Sequence, residues 1–417
     1  MASTAPGAGG ALDFIVYGNN HYPGWIMAGF AVRIPRTTCR LFGGIKATST
    51  LKNTAILVHG PKGCVYHINY ILGMRGDRPP EIFSTCLEED DVIFGAEERL
   101  ENAINELDAA LSPDLIIVFS CCASSIIGED VAGAVHASNA RARVIGIDTG
   151  GFEGDHISGC AETLSRLATE LSTPGLTKKP FAVNIIGMLR AGPDLQELKS
   201  ILANAQIEVN AVLAADARVA DLENLGRAAL NLVVCEVTGK NAAEALEQRF
   251  GTPYIVPGLP IGPGPTREFL EEVTRELGVP WTPDPESSSN LPVQHSRSDW
   301  KIAVVSGPTR AVSMTRFLAG IGIEPAMVVI DIDSGNVDRI RALAGERCRI
   351  LVSPEQNEIR EALADCRIDI LIGGMMELPL CTGTGIRHID MMHGSQKTLG
   401  EAGTRNLLSI LAEERDE

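Results

Sequence analysis

Short apolar runs alternate with amphipathic stretches along almost the whole chain. The runs Thr54–His59, Asp114–Ser120, Arg143–Asp148, Phe181–Gly187, Glu208–Leu213, Asn231–Glu236, Lys301–Ser306, Ala326–Asp331, Arg349–Ser353 and Asp369–Gly373 are continuously apolar and rich in Val and Ile. Strands of that kind are buried on both faces, as in parallel sheets covered by helices. Between them, Phe94–Leu111 places Leu100, Ala103, Ile104, Leu107, Ala110 and Leu111 on one stripe of period near 3.6, which predicts a helix. Pro193–Ala203, Ala242–Phe250, Thr266–Leu277, Arg310–Ala319 and Lys397–Ala412 read the same way.

Alternation of strand and helix predicts an α/β protein with doubly wound, mostly parallel sheets. Two seams divide it: the loop-like stretch 172–180 after Leu171, and the Pro-, Ser- and Asn-rich stretch Pro280–Ser298. The expected organisation is a tail and lead-in over residues 1–35, then three Rossmann-like domains over 36–176, 177–285 and 286–417, the last ending in a helix.

A length of 417 residues is too great for one ordinary core and agrees with several domains. Lys and Arg number 36 against 53 Asp and Glu, a formal charge of −17, which disfavours nucleic acid as a partner. No apolar run reaches the length of a membrane span, and Met1–Gly10 lacks the basic start and apolar stretch of a signal peptide; the chain reads as cytoplasmic. In such a chain ten cysteines are not a disulfide framework, which leaves burial, metal ligation or nucleophilic chemistry.

Ligands of open α/β sheets bind beyond the carboxyl ends of the strands. Cys64 follows a strand in His59-Gly-Pro-Lys-Gly-Cys64, Cys121 and Cys122 end another, Cys39 opens a predicted helix, and Cys86 lies in a loop. Thiolates suit iron–sulfur clusters, copper(I) or zinc, and Gly60 and Gly63 let a bulky ligand approach the backbone. The absence of any Cys-x-x-Cys pair argues against a zinc ribbon or ferredoxin loop. Free cysteine is also among the most buried residue types, and Cys235, in a predicted strand, Cys348 and Cys366 read as structural. P-loop, Gly-x-Gly-x-x-Gly and Gly-x-Ser-x-Gly motifs are missing, so ATP chemistry is not expected of this chain. Gly383-Thr-Gly385-Ile-Arg-His388 reads as a plain turn with a cradle for an anion or a cofactor edge as the alternative; Cys381 is a weaker candidate for a cofactor thiolate, and His388 and His393 are weaker candidates to face a substrate.

Several of these motifs together resemble the component 1 family of nitrogenase and nitrogenase-like reductases. His59-Gly-Pro-Lys-Gly-Cys64 is similar to the family's His-Gly-x-x-Gly-Cys loop, and Leu87-Glu-Glu-Asp-Asp-Val-Ile-Phe94-Gly95 to its acidic segment ending in Phe-Gly. Cys122-Ala-Ser-Ser-Ile-Ile-Gly128-Glu129-Asp130 resembles its ligand helix, and Phe152-Glu-Gly154-Asp155-His156 the glycine-rich segment that follows. The intervals of 25 and 58 residues between Cys39, Cys64 and Cys122 are similar to those of the β-type (K-like) subunit.

The resemblance implies three Rossmann-like domains and an iron–sulfur cluster held between subunits by Cys39, Cys64 and Cys122. That cluster is an eight-iron P-cluster-like group or a four-iron one. Asp155 is an expected oxygen ligand or a group just behind the ligands. Three thiolates cannot complete a four-iron cluster, so an α-like subunit or a second copy of this chain must supply the rest. The implied activity is that of a reductase subunit in a heterotetramer, relaying electrons from an ATP-dependent iron protein to a small molecule such as a methylthio-alkane. Alternatives within the family are a homodimeric tetrapyrrole reductase of the nickel-sirohydrochlorin cyclase type and a scaffold for cofactor assembly. Outside it stands a Rossmann-type binding module with structural cysteines.

Overall fold

The computed structural model describes residues 38–74, 80–152, 154–282, 300–391 and 396–412. His393 and most of the Pro280–Ser298 stretch lie outside the described residues. Three parallel sheets follow one another along the chain. The first contains β1 (Thr54–His59), β2 (Ile82–Ser84), β3 (Leu115–Ser120) and β4 (Arg143–Ile147) in the order β2-β1-β3-β4. The second contains β5 (Lys179–Ile186), β6 (Glu208–Leu213), β7 (Ala228–Val233) and β8 (Tyr254–Ile255) in the order β6-β5-β7-β8. The third contains β9 (Ile302–Ser306), β10 (Met327–Ile330), β11 (Arg349–Val352), β12 (Ile370–Gly373) and β13 (Arg387–Asp390) in the order β11-β10-β9-β12-β13.

All the pairings are parallel; in the first sheet Ile56 lies opposite Ile117 and Val58 opposite Phe119. The expected α/β class with doubly wound parallel sheets is therefore observed. The winding reverses once in each sheet, between β1 and β3, between β5 and β7, and between β9 and β12. Such reversal points open a crevice at the carboxyl ends of the two strands.

The sheets are not separate beads. One apolar core joins helices Arg40–Thr48 and His156–Leu171 to the second sheet through Ile186, Val233 and Ala243. Another joins the second and third sheets, running from Val183 and Leu195 through Val304 to Leu407 and Leu411. The last helix, Gly400–Ala412, follows the third sheet in sequence but packs against Pro193–Asn204 and Pro263–Leu277 of the middle segment. Asp194 fastens this return. Its carboxylate accepts from Thr398 N at 2.7 Å, from Thr398 Oγ1 at 2.7 Å and from Arg310 at 3.1 Å.

Within the second sheet a buried polar ladder replaces apolar packing. Asn184 Nδ2 donates to Asn231 Oδ1 (2.8 Å) and to Leu225 O (2.9 Å), while its Oδ1 accepts from Asn210 Nδ2 (2.8 Å). Asn184→Leu strands three polar groups in an interior where each needs a partner. We expect a loss of about 2–4 kcal/mol, read as a lower urea midpoint; an unchanged midpoint would refute the ladder's importance.

Two predicted elements differ from the structure. The helix predicted over Phe94–Leu111 is two helices, Glu89–Phe94 and Glu97–Leu111, broken at Gly95, whose φ of 86° no helix accepts. The strand predicted through Glu236 stops at Val233, and Cys235 instead precedes the helix Glu236–Phe250.

Candidate functional site

The three cysteines that the sequence singles out all stand at helix starts on the carboxyl side of the first sheet. Cys39 is the residue before Arg40–Thr48, Cys64 lies in the first turn of Lys62–Met74, and Cys122 opens Cys122–Ile127. Cys64 follows β1 and Cys122 follows β3, the two strands that flank the winding reversal. Cys39 and Cys122 are exposed and Cys64 is half-buried.

The loop after β4 brings them together. Gly151 N donates to Cys122 Sγ at 3.3 Å. A Cβ on Gly151 would sit 3.1 Å from Cys122 Sγ and 3.3 Å from Cys39 Cβ, so both cysteines crowd this glycine. Cys39, Cys121 and Cys122 all lie close enough to Cys64 to raise its affinity for a proton. Among the described residues no three His, Cys, Asp or Glu side chains gather as a site for a single metal ion.

Cys121, which the sequence places at a strand end without assigning it a role, lies against Cys64. It is buried beneath the Cys64 loop, and a Cβ on Gly60 would lie 2.5 Å from its Sγ. Contact with the Cys64 side chain, and with backbone N–H groups of Ser124 and Ala123, holds the Cys121 thiol down at about 5, against the opposing effect of its burial. The same contact and burial push Cys64 up. Cys121 and Cys122, adjacent in sequence, have different surroundings: one is buried, the other exposed.

Asp155 has a different occupation. It is the N-cap of His156–Leu171, and its Oδ1 accepts from Ile157 N and Ser158 N, each at 3.0 Å. Cys86 is exposed at a φ of 53°, in the loop after β2. Cys381 is buried, with its thiol pushed up to about 11 by that burial and by Glu377. His388 lies on β13, with Nε2 2.8 Å from Gly374 O. The Gly383–Gly385 segment is a turn with positive φ at both glycines.

The surface around the cysteines is apolar. Of the twelve large hydrophobic side chains exposed among the described residues, seven lie on the elements that carry or adjoin them: Tyr66, Tyr70, Val92, Ile93, Phe94, Ile126 and Phe152. Large apolar side chains exposed in such number on neighbouring elements are uncommon on monomeric proteins.

A second feature sits at the other two winding reversals. A cavity of about 240 Å³ is lined by Gly187 and Arg190 after β5, Cys235 after β7, Gly307 and Arg310 after β9, and by Lys46, His156 and Cys160 from the first segment. The placement of Cys235 in a strand is corrected: it follows β7 and precedes the helix Glu236–Phe250. The chain turns after β7 to pass the backbone of Gly187, where a Cβ would meet Cys235 O at 3.0 Å, and this turn brings Cys235 to the cavity wall. Its cationic side chains are Lys46, Arg190 and Arg310, against Asp194 and Asp331.

Parallel sheets with cysteines near the first reversal and a cavity at the other two define an α/β protein of the doubly wound class. The chain belongs to the family described as nitrogenase component 1 type oxidoreductase, whose model matches residues 39–414. It is 28% identical over 397 residues to the nitrogenase iron-molybdenum cofactor biosynthesis protein NifE of Clostridium pasteurianum, covering 89% of this chain and 86% of that one. It is 30% identical to a light-independent protochlorophyllide reductase chain of Gloeothece citriformis, over 80% of this chain and 72% of the relative. The nitrogenase molybdenum-iron protein beta chain of Methanothermobacter thermautotrophicus is 23% identical over 81% of this chain and 83% of its own length. A solved structure of nitrogenase Cp1 superposes with a TM-score of 0.81 at 21% identity, covering 91% of this chain and 92% of that one, which shows the shared fold. No described helix is long and apolar enough to cross a membrane.

Proposed function

We propose that this chain is a subunit of a nitrogenase-like two-component reductase. In this reading it holds an iron–sulfur cluster at a subunit interface with Cys39, Cys64 and Cys122. The observation that carries the reading is the convergence of these three thiols at one winding reversal, inside an apolar exposed face. The donor set is three soft thiolate ligands, which fits iron–sulfur chemistry. Thiolates from the covering chain, an α-like subunit or a second copy, complete the ligand count. Bound there, the cluster supplies one-electron transfer. An ATP-dependent iron protein delivers the electrons, since this sequence holds no P-loop. Asp155, whose Oδ1 caps the helix His156–Leu171, serves in this reading as a group just behind the ligands.

The substrate class we favour is a small molecule such as a methylthio-alkane, reduced at its carbon–sulfur bond. The β-type intervals between Cys39, Cys64 and Cys122 support a heterotetramer of this kind over a homodimeric tetrapyrrole reductase. The cavity favours a second reading, in which this chain carries its own reaction site as one half of a homodimer. Its wall combines the Cys235 thiol with the cations of Lys46, Arg190 and Arg310.

The test is anaerobic purification followed by iron and acid-labile sulfide quantification, the visible spectrum, and the mass of the complex in solution. Iron and sulfide in stoichiometric amounts, with a chain of different sequence bound, is the expected result. Iron with two copies of this chain alone supports the second reading. A colourless, iron-free protein refutes both and leaves a binding module.

A further inference from the structure

The end of β1 carries a buried pair of ionisable side chains that the sheet itself does not need. His59 is fully buried, the Glu129 side chain is 3% exposed, and His59 Nε2 lies 3.2 Å from Glu129 Oε2. The backbone ladder already fixes β1 against β3, with His59 opposite Ser120. Two apolar side chains would fill this space without the cost of taking a carboxylate out of water. The polar atoms of the pair instead reach segments that lie outside the ladder.

The hydrogen-bond accounting is complete. The Glu129 carboxylate can only accept, and Oε1 accepts from Ala96 N at 2.8 Å. Its Oε2 therefore takes a hydrogen from His59 Nε2, and His59 Nδ1 lies 3.1 Å from the Thr85 hydroxyl. The same Thr85 oxygen accepts from Gly60 N at 3.2 Å. The carbonyl of His59 accepts from Ser124 Oγ at 2.8 Å, and Ser124 in turn accepts from Cys121 N at 2.9 Å. His59 and Glu129 together thus reach four segments: the Gly60 turn through Thr85, the Cys122 helix through Ser124, the turn at Glu129 itself, and Ala96.

Those segments are the ones that matter to the cysteines. Gly60 begins the turn into Cys64. Ser124 and Glu129 belong to the helix of Cys122 and the turn that ends it. Ala96 starts the helix Glu97–Leu111, one residue after Gly95 closes the short helix that exposes Val92, Ile93 and Phe94.

We propose that His59 and Glu129 form a latch that holds the Cys64 loop and the Cys122 helix at one separation and ties both to the exposed apolar helix Glu89–Phe94. They act as positioning residues: neither touches the reacting group, and a partner pressing on Phe94 moves the cysteines through Ala96, Glu129 and His59. The inference rests on the cluster reading for its purpose, but its geometry is tested without a cluster.

The experiment compares wild type with Glu129→Ala, Glu129→Gln and Thr85→Val, and uses Asn184→Leu as a destabilised variant remote from the latch. In iron-free protein, hydrogen exchange is followed by mass spectrometry in the segments 60–64 and 96–100. Glu129→Ala is expected to speed exchange in both segments together by about tenfold or more, because one removed carboxylate releases both ends. Thr85→Val speeds only 60–64. Glu129→Gln stays near wild type, since its carbonyl still accepts from Ala96 and its amide donates to the other tautomer of His59. Asn184→Leu leaves both segments as in wild type. In iron-loaded protein, Glu129→Ala is expected to release iron to a ferrous chelator about tenfold faster and to broaden the electron paramagnetic resonance signal, with Glu129→Gln restoring both. Exchange in Glu129→Ala that rises in 96–100 alone, or Glu129→Gln as damaging as Glu129→Ala, overturns the latch. Wild-type protein without iron sinks the cluster reading, while the exchange data still decide the latch.

Discussion

Cys64→Ala is expected to leave a folded chain that has lost its iron and no longer holds its partner. Cys64 lies near the other two thiols, Cys39 and Cys122, and against Cys121. With two thiolates left, a cluster that needs ligation from both chains loses its grip on this side. Metal binding and assembly are then linked, because the same group that satisfies the thiolates also bridges the two chains. Iron content should fall by roughly tenfold or more, beyond what loss of a supporting contact gives. Elution should shift from the complex to the single chain. The fold should survive, since Cys64 is half-buried on a helix that the core holds through Ile68 and Leu72. Cys366→Ala, in the last segment and away from this face, is the matched control and should keep its iron. If Cys64→Ala retains iron and remains assembled, the thiols at the first winding reversal are structural.

Gly159→Ala is expected to be among the most damaging single methyl additions in the molecule. Helices Arg40–Thr48 and His156–Leu171 cross at two glycines. A Cβ on Gly159 would sit 2.1 Å from Arg40 O, and a Cβ on Gly43 would sit 1.9 Å from His156 O. Both obstacles are backbone atoms, which cannot swing aside as a side chain can. The helices must separate, and with them go the packing of Leu41, Phe42 and Ile45 against Leu164 and Leu167, and the Cys160 thiol's bond to Gly43 O at 3.0 Å. Overpacking with no relief of this kind costs about 3 kcal/mol or more. The displacement also acts on the site. Cys39 immediately precedes the first of these helices, and His156 N donates to Thr38 O at 2.8 Å, so a shifted crossing moves Cys39 away from Gly151. Thermal unfolding and iron content should therefore fall together. The double variant Gly43→Ala with Gly159→Ala should cost less than the sum of the two, because the first methyl has already opened the crossing. A melting temperature within a few degrees of wild type would show that the helices can slide without loss.

The interior strands of the sheets were readable because burial on both faces leaves an unbroken apolar run. The three strands that pattern alone does not reveal, β2, β8 and β13, are all edges of their sheets. Each is two to four residues long, and β13 reads Arg-His-Ile-Asp. An edge strand has one neighbour and partial solvent, so nothing requires the run that marks an interior strand. The helix His156–Leu171 escaped for a related reason. Its first turns carry Ser158, Gly159 and Cys160, small residues placed there by a close helix crossing that lies elsewhere in sequence.

By itself the sequence determined the α/β class, the succession of parallel sheets and the three cysteines on which the proposed site rests, because each of these leaves a local mark: an apolar run, a helical stripe, or a reactive residue at a strand end. Only the tertiary structure decided what those residues face. It placed Cys121 under Cys64, turned Asp155 to cap a helix, brought Cys235 to a cavity wall, and joined His59 to Glu129 across 70 residues of chain. A side chain's role depends on its neighbours in space, and those are set by where the sheets reverse and how the helices cross, a relation that no stretch of sequence contains.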